Sequence, residues 1–147
     1  MARWIDRFLV DDAVSWGQSG EGKIIWYDSP AFGEEVAKAL NAPLPRSESE
    51  LDLNGKTLVL SKNIFGTGLD GLQFKYHRAL YTWVPNAQDA EQVTGRLARE
   101  GQTQPVGVEI YAHTPELETA LDETIEVART LEEREGQAQL LLMGIGK

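Results

Sequence analysis

The chain contains no cysteine. Disulfides and thiolate metal sites are therefore excluded. Histidine is scarce too: His77 and His113 lie far apart without ligand-like spacing and read as ordinary histidines. Basic residues are in the minority. There are 14 Lys and Arg against 23 Asp and Glu, giving a formal net charge of −9. A uniform surface of that sign repels DNA, RNA and acidic membranes, so any nucleic-acid contact must be local or made through a basic partner. No run of about 20 apolar residues occurs, as a membrane-spanning helix would need. The N-terminus has no signal-peptide apolar region. These absences point to an intracellular, cytoplasmic protein with no membrane partner. What remains is ordinary for a folded domain: 147 residues, 41% hydrophobic and 25% charged. That length suits one domain with a single core.

Trp4, Ile5, Phe8, Leu9, Ala13 and Trp16 recur at helical spacing and predict a helix over about 2–16, stopped by Gly17. Lys23-Ile24-Ile25-Trp26-Tyr27 is a short apolar run bounded by turn residues, the pattern of a strand buried on both faces. Ser29-Pro30 then offers an N-cap and a first-turn proline for a helix to about 39–41, with Phe32, Val36, Ala37 and Leu40 inward. The stretch 42–55, with Pro43, Pro45, Ser47 and Ser49, is irregular and has room only for a short strand. Further strands are expected at Thr57–Ser61, Arg78–Val84 and Pro105–Tyr111. A last helix follows Thr114-Pro115, with the stripe Leu117, Leu121, Ile125, Ala128 and Leu131. Gln139-Leu140-Leu141-Leu142-Met143 reads as a final strand or packed tail. Strand and helix alternate throughout, which predicts an α/β domain: a three-layer α/β/α arrangement with a mostly parallel sheet.

Two stretches carry chemistry. Gly66-Thr67-Gly68-Leu69-Asp70-Gly71 formally matches G-x-G-x-x-G. A dinucleotide fingerprint needs those glycines to open a full helix. Only Leu72 to His77 separate them from the next strand, so that reading is rejected. A glycine-rich turn can still let backbone approach a ligand closely, or it can be a tight connection and nothing more. The second stretch is a predicted helix over Ala87–Glu100. At about 100° per residue, Gln92, Arg96 and Arg99 fall within roughly 60° of one another. Val93 and Leu97 occupy a neighbouring face, and Gly101 supplies a stop. Paired guanidiniums on one face suit phosphate oxygens; an isolated R-x-x-R is otherwise a solvated face with surface ion pairs. Lys62, Lys75, His77 and Arg78 form the only basic cluster near the glycine-rich stretch. It is either a solvated edge or a point of nucleic-acid backbone contact through Lys62.

In sequence order, the strand at Lys23–Tyr27 is followed by Ser61-Lys62-Asn63-Ile64-Phe65-Gly66-Thr67-Gly68-Leu69-Asp70. The strand at Arg78–Val84 comes next, and then Gln92-x-x-Gly95-Arg96-x-x-Arg99-x-Gly101-Gln102. Over residues 20–112 this resembles the C-terminal RecA-like lobe of superfamily-2 helicases and translocases, most closely the Swi/Snf-like branch. The glycine-rich stretch is similar to motif V, the Gln/Arg stretch to motif VI, and the strand ending near Ser29 to motif IV. The resemblance implies that Arg99 is an arginine finger and that Arg96 also addresses phosphates. It implies that Gln92 bridges nucleotide and lobe interface, that Gly68 and Asp70 lie near the ribose, and that Thr67 contacts nucleic-acid backbone.

The departures are as informative. The sequence has no G-x-x-x-x-G-K-[ST] phosphate loop and no Asp-Glu-x-His metal motif. The connection from Leu40 to Thr57 is short for the family, whose second lobe usually carries an extra strand and helix there. The expectation is half of an ATPase. ATP and Mg²⁺ would be held only in a composite site with a first-lobe helicase protein or domain, and DNA or RNA would be engaged through that partner. Alone, the chain would hydrolyse nothing. Its small size and stand-alone form would suit a phage or mobile-element product. The competing expectation is a non-catalytic, helicase-derived interaction module.

Overall fold

The computed structural model describes residues 7–65, 69–111 and 115–135. Four parallel strands, β1 (Lys23–Tyr27), β2 (Leu58–Ser61), β3 (Arg78–Tyr81) and β4 (Gly107–Ile110), form one sheet in the order β2-β1-β3-β4. The register is continuous, with Ile24 beside Leu58 and Ala79, and Ala79 beside Val108. Side chains alternate between the faces, as the two-residue strand period requires. Ile25, Tyr27, Val59 and Leu80 point to one face; Ile24, Trp26, Leu58, Leu60, Ala79, Tyr81 and Val108 point to the other. Both faces are covered, so all of β1 is buried, the composition expected of a parallel sheet.

The first face is covered by helices α1 (Arg7–Gln18) and α2 (Pro30–Leu40). Helix α2 begins at Ser29-Pro30 and ends at Asn41, whose left-handed backbone (φ 54°) lets its N–H reach the last carbonyls. Helix α1 runs through Gly17, which corrects the expected stop. A Cβ at Gly17 would lie 3.1 Å from Ile25 Cδ1 and 3.2 Å from Thr57 Cγ2. The glycine therefore serves close packing between α1 and the sheet.

The second face carries α3 (Lys62–Phe65), the 3₁₀ turn Leu72–Phe74 and α4 (Ala87–Thr94). Helix α4 is capped by Asn86, whose side chain accepts from Asp89 N at 2.8 Å. It ends at Thr94, six residues short of the expected Glu100, and continues as tight turns to Gly101. Leu97 N and Ala98 N both donate to Thr94 O at 3.0 Å, while Leu97 is driven fully into the core. Segment 42–55 holds a 3₁₀ turn, Glu48–Glu50, in place of a strand. Strand β3 stops at Tyr81, short of the expected Val84; Thr82 still donates its N–H to Trp26 O at 3.2 Å and adds its hydroxyl to the same carbonyl at 2.8 Å.

Helix α5 (Pro115–Glu135) packs on α4, joined by Ala87, Ile125 and Ala128 and by Thr124 Oγ1 donating to Pro85 O at 2.7 Å. Its predicted stripe is only half covered: Leu117, Leu121, Ile125 and Leu131 are partly buried and Ala128 is buried. The tail at 139–143 lies outside the described residues. The molecule is a small α/β domain with an all-parallel sheet between helical layers, a RecA-like three-layer arrangement. Among the described residues, no helix is long and apolar enough to cross a membrane.

Candidate functional site

The second face brings the two chemical stretches together. Arg99 Nη1 pairs with Asp70 Oδ1 at 2.5 Å. Arg96 Nη1 donates to Leu69 O at 3.2 Å, while its buried Nε has no hydrogen-bond partner. Both arginines thus return onto the end of the glycine-rich stretch, although α4 has already ended. The turns after Thr94 keep i→i−3 and i→i−4 backbone bonds, and Arg96 and Arg99 of the predicted common side reach the adjacent residues Leu69 and Asp70. Gln92, on the last turn of α4, is exposed. Gly68 and Thr67 lie outside the described residues.

Lys62 is elsewhere. It follows β2 and pairs with Asp89 Oδ2 at 3.0 Å in the first turn of α4. Asp89 sits in the first turn of α4, and Arg99 lies beyond the end of that helix. Arg78 begins β3 at the level of Lys23, at the opposite ends of the strands from Lys62. The basic cluster read along the chain is therefore divided between the two ends of the sheet. Lys75 and His77 line a polar hollow with Gln102 and Tyr76. Burial, reinforced by Arg78 and Lys23, lowers the His77 pKa, so its neutral form is favoured.

Around the arginines, Gln102 and three residues that no motif singled out do the positioning. Gln102 donates its amide to Tyr76 O at 2.7 Å and Leu97 O at 3.0 Å, tying the turn to the segment just before β3. Gln73 donates to Glu100 O at 3.3 Å. Tyr76 is nearly fully buried, and its hydroxyl donates to Lys56 O at 2.7 Å; burial pushes its pKa up to about 12. Buried Tyr81 shares a 2.6 Å hydrogen bond with Thr94 and donates to Ala90 O at 3.2 Å. The signal for Gln102 was its place beside Gly101 in the motif. Gln73, Tyr76 and Tyr81 carried none, because their partners are distant in sequence.

Asp70, Gly71, Gln73, Phe74, Arg99, Glu100 and Gly101 line a groove of about 700 Å³. A guanidinium half in solvent beside such a groove can take an anion by exchanging one carboxylate for phosphate oxygens. Strand order reverses between β1 and β3, and in open parallel sheets ligands favour the strand C-termini at such a point. The Arg99 groove lies on the flank instead, towards the strands' N-terminal ends, where Gln102 meets Tyr76. It is a one-sided surface. Among the described residues, no group of three or more His, Asp or Glu side chains is placed to hold a metal ion. No family model matches this chain, and no curated protein matches it.

Proposed function

We propose that this chain is the C-terminal RecA-like lobe of a cytoplasmic, nucleic-acid-dependent helicase or translocase ATPase. In this reading Arg99 and Arg96 belong to a composite ATP site that a first-lobe partner completes. The observation that carries it is the convergence of both arginines on Leu69 and Asp70. Two motif-like segments separated by a strand thereby present cationic groups on one flank. The residues present fit part of a triphosphate site: they offer guanidiniums for phosphate oxygens. The phosphate loop and the acidic Mg²⁺ ligands would come from the partner, as would most contact with nucleic acid. Arg99 would neutralise charge developing on the transferred phosphoryl group, with Asp70 giving way. Mixing the chain with a first-lobe protein should yield ATPase activity, and Arg99→Ala should lower it about 10³–10⁵-fold. Turnover that ignores Arg99→Ala would sink the proposal.

One observation favours a second reading, a non-catalytic interaction module. The Arg99 charge is already answered by Asp70 within the chain, so the pair is self-sufficient without phosphate. A stable complex with another protein, unaffected by Arg96→Ala and Arg99→Ala and without ATP turnover, would select this reading.

A further inference from the structure

We propose that Phe74 is a stacking platform for the base of a mononucleotide whose phosphates reach Arg99. Leu72 and Gln73 of the same 3₁₀ turn are buried, but Phe74 is 65% exposed. One edge of its ring rests on the backbone of Gly101. A Cβ there would lie 2.5 Å from Phe74 Cε1, and the φ of +97° independently calls for glycine. The ring is thus set on one side and open on another. It lines the same groove as Arg99 and Asp70. Gln73 donates to Glu100 O at 3.3 Å, which holds the turn carrying Phe74 against the turn carrying Arg99.

A lone exposed phenylalanine needs no explanation. An anchored ring beside a guanidinium is a different object, because it matches a ligand with a flat aromatic part and an anionic part. Nucleotides have that chemistry, and so do single-stranded nucleic acids. The net charge of −9 opposes a long polyanion far more than one nucleotide, so the occupant assigned is a mononucleotide. This rests on the reading of Arg99 as a phosphate-binding residue. Because one lobe holds only part of the ligand, affinity of the free chain belongs in the millimolar range.

The test is a solution NMR titration of the chain with ATP, inorganic tripolyphosphate and a short single-stranded oligonucleotide. It compares wild type with Phe74→Ala, Phe74→Trp and Arg99→Ala. Phe74→Ala should weaken ATP about 5- to 10-fold, the lower range for base–aromatic stacking, and leave tripolyphosphate unchanged. Phe74→Trp should restore ATP binding, and Arg99→Ala should weaken both ligands. Tripolyphosphate binding that needs Arg99, with ATP indifferent to Phe74→Ala, would overturn the platform and spare the phosphate reading. Tripolyphosphate binding indifferent to Arg99 would overturn the phosphate reading and this geometry with it. Absence of ATP binding at millimolar concentrations would overturn the platform. An oligonucleotide that binds more tightly than ATP through Phe74 would replace the mononucleotide as occupant.

Discussion

On one side of the sheet, α1 and α2 lie over Ile25, Tyr27, Val59 and Leu80 as two regular helices. On the other, a short α4, a 3₁₀ turn and several tight turns lie over Ile24, Trp26, Leu60 and Tyr81. Regular helices satisfy most of their own backbone groups; Thr57 donates to Gly17 O and Tyr111 to Asp12, both at 2.6 Å, and the rest of the first side relies on shape complementarity. Gly17 and Gly33 supply it by letting helix backbone approach the strands. The second side leaves backbone groups that side chains must answer. Tyr76, Gln73 and Gln102 take on carbonyls of Lys56, Glu100, Tyr76 and Leu97. The side with the arginines is also the side where more of the turn carbonyls are answered by side chains. The difference separates a scaffold from a surface that can present groups outward.

The largest expected effect tests the scaffold side. At Gly33, an added Cβ would lie 2.6–2.7 Å from Tyr27 ring atoms, and that ring is only 6% exposed. The ring sits between strand and helix and cannot swing away. Gly33→Val should destabilise the fold towards the top of the ~1–3 kcal/mol that overpacking costs, read from urea unfolding midpoints. A cost within experimental error would mean that α2 is loosely seated and that the two sides are alike.

A smaller effect is expected from the polar side. Tyr81→Phe removes the hydroxyl that meets Thr94 Oγ1 and Ala90 O. Thr94 is fully buried, and a buried group left unsatisfied costs about 1–3 kcal/mol. Thr94 lies one turn after Ala90, so its hydroxyl can turn to that carbonyl instead, and the loss should stay near ~1 kcal/mol. Unfolding of Thr94→Val alongside sharpens the point. If both substitutions are neutral, polar contacts do not hold the second side together.

Legibility in the sequence followed the same division. Strand β1 could be read because an unbroken apolar run sits between turn residues. The start of α2 could be read because Ser29-Pro30 combines two start signals. Gly17 misled because a glycine that ends a helix and one that admits a neighbouring side chain look alike along the chain; only Ile25 and Thr57 distinguish them. The end of α4 misled because Arg96, Leu97 and Ala98 are good helix formers. Packing of Leu97 and the hold of Gln102 on Tyr76 O override that preference. The common side of Arg96 and Arg99 followed from spacing, but Leu69 and Asp70 as their partners did not. Those contacts join residues 27 and 29 positions apart, and no local pattern encodes them.

The smallest expected change in stability belongs to the pair at the centre of the site. Asp70 is 80% exposed and Arg99 37%. Exposed ion pairs contribute roughly 0.2–1 kcal/mol, since solvent screens them and ordering long side chains opposes them. Asp70→Asn should therefore shift the unfolding midpoint by no more than such a pair is worth. It should also leave the Arg99 charge uncompensated beside the groove, so tripolyphosphate should bind more tightly, an effect that rising salt should reduce. A loss above ~2 kcal/mol would make the pair a brace, and the second side would then be core by another means. Unchanged stability with tighter anion binding would make Asp70 a placeholder for an anion, leaving the second side as the working surface of the molecule.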